Sequence, residues 1–157
     1  PRTIVDVQPD TMARLAELPR VVGVKDATGD LARISHERSR ISKPFSYFSG
    51  DDITSVAYNA SGGSGCISVT ANVLPGLCAQ LQNLCAKGEY RAALTLHERL
   101  VPLHAALFRE PNPAGIKHAA ALLELCRAEC RLPMVPLNAV NAELIKQQLD
   151  RLQRGGA

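Results

Sequence analysis

The stretch VVGVKDATGD, Val21 to Asp30, sets a single lysine inside a strongly apolar, β-branched run. Valines at 21, 22 and 24 favour an extended backbone. Successive side chains on a strand face opposite ways. Lys25 therefore shares a face with Val21 and Gly23, while Val22 and Val24 share the other with Asp26. Gly23 leaves space on the lysine's own side, where a long side chain near the strand's carboxyl end bends over a pocket. Two readings are open. Lys25 snorkels into solvent or pairs with Asp26 or Asp30; or it sits in a dry pocket, where lost hydration disfavours the ammonium. A neutral amine there suits Schiff-base chemistry on a ketone.

Outward from this run the first half alternates helix and strand. QPDTMARLAELP has Pro9 at a first helical position, Met12, Leu15 and Ala16 at helical spacing, and Pro19 as a stop. After the lysine strand, Asp30 opens DLARISHERSRI, with Leu31, Ile34 and Arg38 spaced by turns. FSYFSG is a second strand, and DDITSVAYNASGG a helix capped by Asp51 or Asp52 and closed by Gly62. CISVTA is a third strand. Strand and helix in alternation with tight links predict parallel β/α units, and near-continuous apolar runs suit strands covered on both faces.

Beyond Asn72 only helices are expected: NVLPGLCAQLQNLCAKG, ending at Gly88; EYRAALTLHERLVPLHAALF, interrupted or bent near Pro102; NPAGIKHAAALLELCRAECRL; and NAELIKQQLDRLQRGGA, begun by Asn141. The change near Gly88 is the internal boundary, giving 1–88 and 89–157.

At 157 residues the chain fills one ordinary domain. Hydrophobic residues make up 46% and charged residues 21%, a globular balance rather than a disordered one. A net charge of +3 with scattered basic residues, 4% aromatics and no Trp argues against a nucleic-acid surface. No apolar stretch approaches the ~18 residues of a membrane span, and PRTIVDV lacks a signal-peptide pattern. The expected location is the cytoplasm. Five cysteines, an odd number in mostly apolar settings, read as reduced thiols. Cys126 and Cys130 fall four apart on an expected helix, yet no second ligand pair accompanies them, so no metal is expected.

Other features have plainer readings. Asp51 and Asp52 suit helix capping better than acid–base work. GGSG, Gly62–Gly65, lacks the Lys-Ser or Lys-Thr of a phosphate loop. His97 and His104, seven apart, share a helical face and suit a surface or interhelical role.

VVGVKDATGDL resembles the lysine segment of the dihydrodipicolinate synthase family, usually written GIKEATGDL. SGDD at Ser49–Asp52, GGSGCISVTANVLP at Gly62–Pro75, PLHAALFREPNPAGIKHA at Pro102–Ala119 and RLPMVPL at Arg131–Leu137 match the family in the same order. The resemblance implies an α/β fold, the carboxyl-terminal portion of a (β/α)8 barrel. Strands six to eight would lie in residues 1–88, with a helical extension over 89–157. It implies Lys25 as the lysine that activates pyruvate, with no cofactor or metal. Gly50 matches a backbone position lining the pocket, and Ile67 the residue whose carbonyl contacts the substrate end of the site. PRT resembles the family's GRT, with Pro1 where Gly or Ser is usual. Arg2 is thereby the candidate to hold the second substrate's carboxylate. Leu31 and Ala32 lie where the family makes a subunit contact, and the family is commonly tetrameric.

A (β/α)8 barrel takes ~250 residues, and three strands cannot close one. The family's catalytic tyrosine and its Thr-Thr segment have no counterpart in this sequence. The implied reaction is condensation of pyruvate with aspartate semialdehyde in lysine biosynthesis. The chain alone is expected to be inactive, needing the remaining half as a separate chain or in a longer parent. Alternatives are another pyruvate lyase, such as N-acetylneuraminate lyase or a keto-sugar-acid aldolase, and a non-catalytic assembly partner.

Overall fold

A computed structural model describes residues 3–155. The chain divides into two compact units between Ile67 and Ser68. In the first, helices and strands alternate: α1 (Pro9–Ala16), β1 (Gly23–Asp26), α2 (Leu31–Arg38), β2 (Ser46–Ser49), α3 (Ser55–Ala60) and β3 (Gly65–Cys66). The three strands form one parallel sheet in the order β1-β2-β3. Lys25 pairs with Phe48 and Asp26 with Ser49, while Phe48 and Ser49 pair with Gly65 and Cys66. All three strands thus end at one level.

Local chemistry accounts for these elements. Pro9 occupies the first turn of α1, where its missing N–H costs nothing. Asp30 caps α2 by accepting from the Ala32 amide at 2.9 Å. Ile34, Tyr47 and Tyr58 form the buried cluster between sheet and helices, with Val24, Ile41 and Phe45 packed around it. Val24 and Asp26 therefore face the helices, as the period of two requires.

Three expectations are corrected here. The helix expected from Asp51 begins at Ser55, because Asp51 Oδ2 accepts from the Thr54 amide and hydroxyl at 3.1 and 2.7 Å. That carboxylate organises a turn before the helix instead of capping its first residue. The third strand is only Gly65–Cys66 and not CISVTA. Ser68 Oγ accepts from the Ala71 amide at 2.9 Å, turning the chain into a 3-10 turn at Thr70–Asn72.

The second unit contains α4 (Pro75–Ala86), α5 (Tyr90–Leu107), α6 (Ala114–Leu122) and α7 (Ala139–Arg154). α5 packs against α4, α6 and α7. Leu100, Leu103, Leu107, Ala119, Ile145 and Leu149 fill its buried interior, each large apolar side chain contributing about 1.5–3 kcal/mol by burial. Gly115 allows α6 to approach closely, since a Cβ there would lie 2.4 Å from the Leu107 carbonyl oxygen.

This unit also departs from expectation. Of the two outcomes expected at Pro102, an interruption is not seen, and α5 runs through it as one helix. α6 ends at Leu122, and Glu124, at φ 59°, turns the chain so that the Leu125 amide reaches the Ala120 carbonyl at 3.0 Å. Cys126 and Cys130 therefore lie beyond the helix. α7 starts at Ala139, capped by Asn138, whose side chain accepts from the Asn141 amide. Asn141 is buried within the helix, and its side-chain amide donates to Glu110 Oε1 at 2.7 Å. No helix among the described residues is long and apolar enough to cross a membrane.

Candidate active site at the strand ends

Lys25 stands on β1 with Asp26 turned the opposite way, one exposed and the other buried. Its side chain lies over Gly50, the residue after β2. A Cβ at Gly50 would come within 2.6 Å of Lys25 Cε, 3.1 Å of Lys25 Cγ and 2.8 Å of Ala27 Cβ. No side chain fits there without moving the lysine, which is a direct reason for glycine at this position.

The backbone ties the same residues together. The Gly50 amide donates to the Asp26 carbonyl at 2.6 Å, and the Ile67 amide to the Ser49 carbonyl at 2.8 Å. Gly50 and Ile67 each follow one residue after the paired Ser49 and Cys66. Lys25, Gly50 and Ile67 thus gather at the carboxyl ends of three neighbouring strands, the face that carries function in parallel β/α folds. Ser49 Oγ donates to the Asp51 carbonyl at 2.9 Å and accepts from the Asp51 amide at 3.1 Å, fixing the loop that carries Gly50.

Lys25 makes no ion pair with Asp26 or Asp30, whose carboxylates accept from the Thr28 and Ala32 amides at 2.8 and 2.9 Å. The dry pocket expected around the amine is not formed by the described residues: Lys25 is exposed. The physical reason is the size of the sheet. Three strands give the lysine a floor but not a full wall. Arg2 lies outside the described residues, so its place is not part of this geometry.

β1 pairs on one side only among the described residues. A cleft of about 690 Å³ involves this strand and is lined in part by Val5, Val7, Val24, Asp26, Arg33 and Glu37. Asp26 and Glu37 are buried. Burial pushes the Glu37 carboxyl up, against the nearby Arg33 cation, and the Asp26 charge adds to the rise. Sequence reasoning missed Glu37, although its spacing of three from the core residue Ile34 was a usable signal.

In the second unit His104 Nδ1 lies 2.7 Å from Thr70 Oγ1, and the His97 and His104 rings are 5.9 Å apart. Both histidines are buried, so their shared face is an interior one rather than a surface.

A lysine at a parallel strand end, laid across the glycine that follows the next strand, places a primary amine at the carboxyl edge of a β/α sheet. Residues 1–152 match the dihydrodipicolinate synthetase family, and the chain belongs to that family. It is 56% identical over 138 residues to a 4-hydroxy-tetrahydrodipicolinate synthase of Parvibaculum lavamentivorans, which covers 88% of this chain and 47% of the relative. The dihydrodipicolinate synthase structure from Aquifex aeolicus superposes with a TM-score of 0.93 at 34% identity, over 96% of this chain and 52% of that one. The chloride-inhibited enzyme from Acinetobacter baumannii, complexed with pyruvate, gives 0.89 at 35% identity, over 95% and 51%. The chain spans about half the length of the curated relatives it matches.

Proposed function

We propose that this chain is the carboxyl-terminal half of a 4-hydroxy-tetrahydrodipicolinate synthase, a lyase of lysine and diaminopimelate biosynthesis. Its three strands are strands six to eight of a (β/α)8 barrel. In this division by topology rather than packing, α4 completes the last strand–helix unit and the extension begins at residue 89. The observation that carries the reading is the Lys25 side chain lying across Gly50, in a chain whose relatives bear that enzyme name.

The chemistry follows from the amine. Lys25 Nζ attacks the keto carbon of pyruvate, and loss of water leaves an imine. A proton leaves the former methyl carbon, giving an enamine whose carbon adds to the aldehyde of aspartate semialdehyde. Hydrolysis then returns the free lysine. The attacking amine must be unprotonated, and excluding water favours that state. Gly50 keeps the lysine's path clear, Ile67 offers its carbonyl at the substrate end, and Arg2 holds the carboxylate of the second substrate. No cofactor takes part.

The exposure of Lys25 supports a further element of the proposal: the remaining half of the barrel supplies the missing wall and the proton-transfer groups. Loss of such groups typically costs ~10²–10⁴ in rate, so the chain alone is essentially inactive. In the full-length form the enzyme is a cytoplasmic homo-oligomer. Borohydride reduction in the presence of pyruvate, followed by peptide mass spectrometry, tests the assignment. The expected result is a reduced pyruvyl adduct on Lys25 in the full-length form; an adduct elsewhere, or none, overturns it. Turnover of N-acetylneuraminate in preference to aspartate semialdehyde would instead assign a sister lyase.

A further inference from the structure

The cleft beside Lys25 is lined on one side by a segment without helix or strand, Thr3–Val7. Burial of its apolar side chains does not hold this segment, since Ile4 is 92% exposed and Val5 78%. Ile4 also takes a φ of 53°, a left-handed backbone that a β-branched residue keeps only where its surroundings impose it.

The constraint comes from Arg33 on α2. Its guanidinium donates to Asp6 Oδ2 at 2.8 Å and also to the Val7 carbonyl, 27 and 26 positions back along the chain. Among the described residues, every hydrogen bond that joins Thr3–Val7 to a residue beyond its neighbour Gln8 comes from Arg33. The arginine side chain is only 11% exposed, and the fully buried Glu37 pairs with it through Oε1, 3.4 Å from Nε. Charge-assisted bonds from a planar fork fix direction as well as distance.

Local sequence rules do not explain an arginine here. Arg33 is the third residue of α2, in a first turn that holds no acid, where the helix dipole disfavours a cation. Its compensation comes from Asp6, Val7 and Glu37 instead. A second arginine offers a contrast: Arg40 pairs with Asp10 of α1 at 2.6 Å, but their side chains are 43% and 83% exposed and neither lines the cleft. Exposed pairs of that kind contribute little.

We infer that Arg33 is a positioning residue: it clamps Thr3–Val7 to α2 and so fixes where Arg2, the residue before Thr3, meets the carboxylate of the second substrate. The inference rests on the role proposed for Arg2, and the experiment separates the two. In the 157-residue chain, nitrogen-15 relaxation reads the segment directly. Arg33→Ala lowers the heteronuclear NOE of the Val5, Asp6 and Val7 amides, while the amides of β1 and α2 keep theirs. Arg40→Ala leaves all of them unchanged. A segment that stays as rigid in Arg33→Ala as in the wild type overturns the clamp.

In a form extended to the relatives' full length, Arg33→Ala raises the KM for aspartate semialdehyde roughly ten- to a hundredfold, the scale of losing charge-assisted bonds. Borohydride trapping with pyruvate keeps the wild-type rate, because the lysine is untouched. Arg33→Lys recovers only part of the loss, since a compact ammonium lacks the fork that spans both acceptors. In an Arg2→Ala background, Arg33→Ala gives no further rise, as two residues acting through one contact require. A full further rise there, slowed trapping, or an equal rise in Arg40→Ala overturns the positioning role. If Arg2→Ala alone leaves that KM unchanged, or the wild type turns over no aspartate semialdehyde, the role of Arg2 fails and positioning with it, while the relaxation measurement still decides the clamp.

Discussion

The strand unit and the helical unit bury their side chains in different ways. In the helical unit Leu100, Leu103, Ala93, Ala119 and Ile145 are wholly buried where α5 packs against α4, α6 and α7, alongside the buried His97 and His104. In the strand unit the small core of Ile34, Tyr47 and Tyr58 adjoins the carboxyls of Asp26 and Glu37, while Ile4, Val5 and Val22 stand largely exposed. The strand unit is also the one that carries Lys25, the proposed nucleophile. Substitutions should therefore act on reaction in the first unit and on stability in the second.

The largest expected effect is on reaction. Lys25→Ala should lower turnover of the full-length form on the order of 10⁶-fold, the scale of losing a covalent nucleophile, and leave the folding of the 157-residue chain unchanged, because the side chain is exposed there. Steady-state condensation rates and circular dichroism together check this. A variant that melts as it loses activity would erase the contrast between the units.

Next comes the helical interior. Leu100→Ala or Leu103→Ala should cost about 2–5 kcal/mol, since each empties a fully buried site. Urea unfolding monitored in the helical region measures the loss. A cost below that range would show that the interior collapses around the gap.

Gly50→Ala should slow adduct formation roughly ten- to a hundredfold by displacing Lys25, because the new methyl meets Lys25 Cε at 2.6 Å. The control is Gly76→Ala in α4, where a Cβ meets nothing within 4 Å. That change should stabilise by about 0.4–1 kcal/mol through the unfolded chain. Equal effects of the two alanines on trapping would mean that Gly50 is not shaping the lysine's path.

Glu37 gives the smallest and most specific signal. Its folded carboxyl titrates above its ordinary 4.5, so the native state holds a proton that the unfolded chain releases first. The stability this contributes is full below about 4.5 and is lost as pH rises through the folded value. Glu37→Gln should flatten that slope in urea midpoints measured across mildly acidic pH. Stability that rises over this window through Glu37 would mean that the Arg33 pairing outweighs burial.

Much of the strand unit was legible because its signals are local. The period of two placed Lys25 opposite Asp26, and Asp30 marked the start of α2 by a capping bond confined to three residues. The helix boundaries that escaped the sequence depend on partners far along the chain or on unusual backbone. Asn141 looked like a cap, but its amide side chain is held by Glu110 from 31 positions earlier. Cys126 looked helical, but Glu124 adopts a left-handed backbone without the glycine that would announce it.

By itself, the sequence determined the alternation of strands and helices, the side of β1 on which Lys25 stands, and family membership, because each is written in short-range pattern or ordered motif. Tertiary structure alone decided that Gly50 lies under the lysine and that Glu37 is buried beside Asp26's strand. Those facts arise from chain segments brought together by packing, and no local pattern encodes which neighbour a side chain will meet.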